Sequence, residues 1–260
     1  FAQAVRQGMK VATILTVIVM VFAWFVPNLL ELADQDPVIV DLAAEYVRAV
    51  LFSVAPFLYF TVLRGFMAGI SRPLLVMVIT VATIPINLGL NVVLVFGAEI
   101  PLGQATVTIP AMGVAGAAWG SVLITWLMFA ALVADILLRP ATRRHYVLSR
   151  PFAHNQKEWR AIWRLGLPVG VLTLIEGALF TAVSLFAGLI GIATLAANQV
   201  TGNLVGFTAM ISVGIGEAAA VRVAQEMGAG RPGDARLAGF VALALGVVVA
   251  LLFAAPLLFA

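Results

Sequence analysis

Long apolar runs dominate the chain. They fall at roughly residues 11–30, 43–69, 74–97, 110–138, 165–190, 193–222 and 238–260, each bounded by charge or by Gly and Pro. These runs continue for about 20 residues or more without the alternating apolar and polar pattern of a membrane barrel, so strands are not expected in them. A helix of about 20 apolar residues crosses a bilayer, and the pattern therefore predicts about seven spans. The expected fold class is an all-α integral membrane protein, a polytopic transmembrane helix bundle.

Composition agrees. Hydrophobic residues make up 63% of the chain and charged residues 10%, with a mean hydropathy of +1.10, too little charge to clothe a water-soluble domain. A net charge of +3 and a pI near 9.8 would suit a nucleic-acid partner only if the basic residues formed a patch with interleaved aromatics. They do not, and no nucleic-acid partner is expected. Arg6 and Lys10 precede the first span, Arg64 and Arg72 follow the second, seven basic residues lie between Arg139 and Arg164, and Arg222, Arg231 and Arg236 follow the sixth. Counting spans puts all of these on one face. Only Arg48 falls on the other, together with Glu31, Asp34, Asp36, Asp41, Glu45 and Glu99, and the positive-inside rule turns the basic face toward the cytoplasm. A multi-pass protein of the inner (plasma) membrane is expected, in contact with membrane lipid. Cysteine is absent, which excludes disulfides and thiolate metal sites.

The polar, basic segment 139–164 divides the chain into residues 1–138, with four spans, and residues 165–260, with three. Trp159, Ile162 and Trp163 recur in it at helical spacing, as in an amphipathic helix lying in the interface. Ala4, Gly8, Phe22 and Ala23 recur at a constant offset as Ala235, Gly239, Phe253 and Ala254. As a parallel repeat, that offset spans six helices and implies a longer parent of two six-helix halves. Two further helices would then precede Phe1, which is not an initiator Met, and about three would follow Ala260.

Glu176 is the residue most at odds with its surroundings. It lies about 12 residues beyond Arg164, or ~18 Å along a helix, near the middle of the bilayer. A carboxylate there costs a few kcal/mol, on the order of 2.5–3.5 on insertion scales, unless it faces a cavity or takes up a proton or cation. The alternative is a protonated Glu making one interhelical hydrogen bond. The short turn at Gly188–Gly191 makes the fifth and sixth spans a hairpin, which sets Asn203 at the depth of Glu176 and Gln199 one turn nearer the opposite face. These amides either supply oxygen to a desolvated cation or substrate, or bond helix to helix. Asn87 and Asn91, one turn apart after Pro85, form a second polar pair with the same two readings. Glu217 and Asp135 lie close to cytoplasmic helix ends, where pairing with a nearby Arg is expected. His145 and His154 lack ligand spacing, so no metal is expected beyond sodium at Glu176. No Gly-Lys-Ser/Thr phosphate loop is present. Gly113, Gly116 and Gly120 permit close helix approach.

Several of these residues carry a resemblance. Gly166-Leu167-Pro168, Glu176, Phe180, Leu195-Ala196-Ala197-Asn198-Gln199, Asn203, Arg222-Val223-Ala224-Gln225 and Gly228-Ala229-Gly230 stand in the order and spacing of the multidrug and toxic compound extrusion family, in the branch of the bacterial drug–sodium antiporters. Leu63-Arg64-Gly65-Phe66, Pro85-Ile86-Asn87 and Asn91 with Gly97 are similar to its first-half pattern. The resemblance implies twelve helices in two six-helix lobes that open alternately, exporting cationic drugs or toxic organic compounds in exchange for sodium or protons. Residues 1–138 would be the later part of the first lobe and 165–260 the beginning of the second. Glu176 matches the acidic residue of the second lobe's cation site, and Asn87 and Asn91 the amide positions of the first lobe's site. Asn198 stands where a His is frequent. Two further acidic residues of the family's sites would lie outside this chain. A small organic cation as substrate, no cofactor other than a coupling sodium or proton, and a monomeric state are the corresponding expectations.

Two other classes compete. A lipid-linked precursor flippase would carry more basic residues in its spans, which here hold almost none. An integral membrane enzyme would need a nucleophile, a metal or an acid–base constellation near the interface, and none stands at suitable spacing.

Overall fold

Proline marks where many helices begin. Its missing N–H is harmless in a first turn and its fixed φ suits one, and Pro37, Pro73, Pro140 and Pro232 each open a helix. The computed structural model describes residues 2–32, 37–102, 105–143 and 155–259. In chain order these form α1 (Ala2–Trp24), α2 (Val26–Leu32), α3 (Pro37–Gly69), α4 (Pro73–Phe96), β1 (Ala98–Leu102), β2 (Ala105–Ile109), α5 (Gly113–Leu138), α6 (Pro140–Arg143), α7 (Gln156–Ile190), α8 (Ile192–Gly228) and α9 (Pro232–Phe259). Seven helical stretches are long and apolar enough to cross a membrane, α1 and α2 together making the first. The helical membrane architecture is as expected.

The β1–β2 pair was not. It is an antiparallel hairpin, registered from Ala98 opposite Ile109 to Leu102 opposite Ala105, and it lies between two spans, where backbone pairing has no lipid to contend with. The run Thr106-Val107-Thr108-Ile109, rich in β-branched residues, is its local cause.

The chain divides into two compact units, Phe1–Arg164 and Leu165–Ala260. In the first, α5 packs on α3 and α4, and α1 packs on α3. Val5, Phe60, Leu63, Phe66, Met67, Val76, Leu132 and Ile136 form its core, toward the basic ends of these helices. Nearer the other end, aromatic rings join α3 to α5: Tyr59 lies 5.9 Å from Phe129, and Phe52 stacks on Trp119 at 5.7 Å. Trp126 Nε1 donates to the Phe52 carbonyl at 3.1 Å, a further tie between the two helices. In the second unit α8 packs on α9.

Two turns, one in each unit, share one construction. After α3, the N–H groups of Ile70, Ser71 and Arg72 donate to Phe66, Ala68 and Met67; after α8, those of Ala229, Gly230 and Arg231 donate to Gln225, Met227 and Glu226. Ser71 and Gly230 take left-handed φ values of 60° and 73° at the equivalent step, and a proline follows each turn's Arg. Where the first turn buries Met67, the second nearly buries Glu226. That carboxylate is held by Arg231 at 2.8 Å, with Arg222 at 3.9 Å. Removing Arg231 strands the acid, so R231A is expected to destabilise by about 1–2 kcal/mol, between an exposed pair and a fully buried one. E226M, which restores the first turn's solution, should cost less; the thermal midpoints of the two variants in detergent provide the comparison.

Segment 139–164 is shorter as a connector than its composition suggests. Asn155 Oδ1 accepts the Lys157 N–H at 3.1 Å, an N-cap, and α7 begins at Gln156 with Glu158 in its first turn. Trp159 and Trp163, edge to face at 5.8 Å, are thus the first turns of a spanning helix and not a separate interfacial one. His145 and His154 lie outside the described residues.

Candidate cation site

Glu176 sits in the middle of α7, eight residues past Pro168, whose missing N–H leaves the Arg164 carbonyl without its helical partner. The side chain is exposed within its unit and makes no hydrogen bond or ion pair among the described residues. Phe180, one turn on and also exposed, shares its face. A carboxylate beside an aromatic face offers an organic cation both a counter-charge and a π surface.

The hairpin turn is a single residue, Gly191, whose N–H donates to the Ala187 carbonyl while its own carbonyl accepts from Leu195. Asn203 and Gln199 are both exposed on α8. Neither reaches Glu176: α7 and α8 meet near the turn and do not pack together along their length. The polar link between them is instead Asn198, whose Nδ2 donates to Ser184 Oγ at 3.1 Å. Sequence reasoning left Asn198 without a role. Its signal was available, since Asn198 and Ser184 both stand about seven residues from Gly191.

Asn87 and Asn91 do meet, with Asn91 Nδ2 donating to Asn87 Oδ1 at 3.1 Å. Asn91 Oδ1 is buried, without a hydrogen-bond partner among the described residues, and points at Gly120 of α5, where a Cβ would collide with it. The pair therefore lines the α4–α5 seam. One buried amide oxygen is left unsatisfied there, which is the kind of atom a cation or water would complete.

Of the two acids expected near helix ends, Asp135 is there, one turn before the end of α5, whereas Glu217 lies about three turns inside α8, which runs on past Arg222 to Gly228. Asp135 is ion-paired with Arg139 at 2.5 Å, one turn on, and its carbonyl accepts from Thr142 Oγ1 at 3.0 Å. Glu217 is exposed on α8, about 41 residues beyond Glu176 in sequence and on a different helix. Among the described residues no three His, Asp, Glu or Cys side chains come together.

Comparison with known proteins decides the family. The family model described as MatE matches residues 1–93 and 168–260. The chain belongs to the MatE family. Curated MatE relatives bear the name "Probable multidrug resistance protein NorM". That of Deinococcus radiodurans is 34% identical over 97% of this chain and 53% of its own length. That of Pseudomonas aeruginosa is 34% identical over 97% of this chain and 50% of its own, and that of Mesorhizobium japonicum 30% identical over 94% and 51%. This chain thus spans about half the length of the relatives it matches. Among solved structures, the eukaryotic MATE transporter AtDTX14 superposes with a TM-score of 0.78 at 19% identity, over 94% of this chain and 52% of that one, a likeness of fold.

Proposed function

We propose that this chain is part of a secondary transporter that exports cationic drugs or other toxic organic cations by antiport with sodium or protons, through alternating access of two lobes. The observation that carries the reading is Glu176, an unpaired carboxylate in the middle of a membrane-length helix, about 18 Å past Arg164, in a chain of this family. A bare charge at that depth costs a few kcal/mol, so the site favours occupancy by a proton, a sodium ion or a cationic substrate. These ligands compete for one negative charge. Each shifts the conformational equilibrium only by its differential affinity for the two states, and exclusion of one by the other is what couples their fluxes.

Phe180 on the same face favours substrates with aromatic character. Asn203 and Gln199 are exposed amides at comparable distances from the hairpin turn, positioned to add oxygen ligands when the lobe is complete. Asn91 Oδ1, beside Asn87, is the corresponding open acceptor in the first unit. In the whole protein the basic turns face the cytoplasm of the inner membrane, and a single copy suffices for the cycle.

The test uses vesicles containing the intact transporter, preloaded with a fluorescent organic cation. A sodium jump at fixed pH, or a pH jump at fixed sodium, should drive its movement by at least about tenfold over the ungraded control, the scale of a coupling free energy of 1–3 kcal/mol. Movement that follows neither gradient would overturn the antiport reading.

A further inference from the structure

We infer that the cleft between α1 and α3 binds a membrane phospholipid of the zwitterionic, amine-bearing class, with its phosphate on Arg48. The inference stands apart from the transport reading and uses none of its residues. Arg48 is the exception to the charge pattern: counting spans along the sequence assigns the other 14 basic residues to the opposite face. Its guanidinium lies over the Trp24 ring, 5.8 Å from the centroid, and makes no ion pair with Glu45 or Asp41 on its own helix. Counting from Arg64, Arg48 is ~24 Å along α3, and counting from Lys10, Trp24 is ~21 Å along α1. Both therefore stand ~6–9 Å short of the far boundary of a hydrocarbon core about 30 Å thick, from where the long Arg48 side chain can snorkel to the level at which phosphates and interfacial Trp residues meet.

A cleft of about 460 Å³ opens below them, lined by Met20, Val21, Leu51 and Phe52 as well as Trp24 and Arg48. Its walls are almost wholly apolar, and its one charge is at the mouth. An amphiphile with an anionic group beside a long apolar tail matches that order; a free anion gains nothing from the walls, and an apolar ligand gains nothing from Arg48. Glu45 lies one turn farther out on α3, ~4.5 Å along the axis, and Glu31 and Asp41 add further negative charge on that side. A headgroup with net negative charge meets repulsion there, whereas one whose phosphate faces Arg48 and whose ammonium faces Glu45 is matched at both ends.

The experiment takes the full-length transporter in detergent, stripped of lipid and incubated with phosphatidylethanolamine carrying a photoactivatable acyl chain. The expected adducts fall on peptides containing Met20, Val21 or Phe52. Native mass spectrometry should show retention of the lipid falling about tenfold in R48Q and less in R48K, a loss typical of one charge-assisted contact. Phosphatidylglycerol should be retained more weakly than phosphatidylethanolamine, and inorganic phosphate at millimolar concentration should not displace either. Adducts absent from the cleft in the unmutated protein would overturn the proposal without any variant having to fold. Retention unchanged by R48Q, displacement by free phosphate, or stronger retention of phosphatidylglycerol would each overturn it as well.

Discussion

Replacing Glu176 by Gln in the complete transporter is expected to reduce cation-coupled efflux by at least about tenfold while leaving the protein folded and inserted. The two halves of this expectation have one origin. Glu176 makes no hydrogen bond or ion pair among the described residues and is exposed within its unit, so its removal breaks no contact. Insertion of α7 becomes easier by the part of the carboxylate's cost, on the order of 2.5–3.5 kcal/mol, that a neutral amide does not share. Gln keeps the size and the acceptor oxygen but loses the charge for which proton, sodium and organic cation compete. Drug resistance in cells and dye efflux in vesicles should therefore fall while expression level and thermal midpoint hold or rise. Efflux that stays coupled in E176Q would remove this residue from the exchange, and a loss of folded protein would show that the carboxylate supports packing.

The second large effect concerns the seam between α4 and α5. A Cβ on Gly116 would collide with the carbonyl group of Leu94 and approach the Val95 nitrogen, all backbone. That same Leu94 carbonyl accepts the Met112 N–H at 2.9 Å, so it is fixed from a second direction. Backbone cannot rotate away, and G116A forces the helices apart; about 2–3 kcal/mol of destabilisation is expected, at the upper end for overpacking. Gly120 is different. There the added methyl meets the tip of the Asn91 side chain, which can turn aside, so G120A should cost about 1 kcal/mol or less. Thermal unfolding in detergent measures both. Equal costs for the two substitutions would mean that side chains, not backbone contact, set the separation of these helices.

All seven spans were legible because the apolar runs are long and uninterrupted, yet their ends were not. Hydropathy falls away at Arg222, but α8 continues to Gly228, and α7 starts at Gln156, well before Leu165, because backbone hydrogen bonding does not stop where side chains become polar. The glycines at 116 and 120 announced the close α4–α5 approach. Gly113 did not belong with them: nothing lies near its missing Cβ, and its φ of 55° at the start of α5 is the reason for a glycine. The mid-helix position of Glu176 was legible from counting along α7, since it depends only on the length of the apolar run. Asn203 and Gln199 do not meet Glu176 because equal distance from a turn fixes depth along two helices and leaves their divergence open. Glu226 passed unnoticed since a carboxylate five residues before an Arg looks solvent-exposed in sequence, and only the folded turn shows it nearly buried.

The length of α7 limits how it can sit in a membrane. Its 35 residues make a rod of ~52 Å, and fitting all of it into ~30 Å of hydrocarbon would require leaning it by ~55°, beyond the usual range. If the first two and a half turns, with Trp159, Trp163 and their flanking basic residues, stay among the headgroups, the remaining ~39 Å fits at an inclination of ~40°. At that slant Glu176 drops to ~14 Å below the surface, so that swinging the rod upright would carry its carboxylate several ångströms toward the far side.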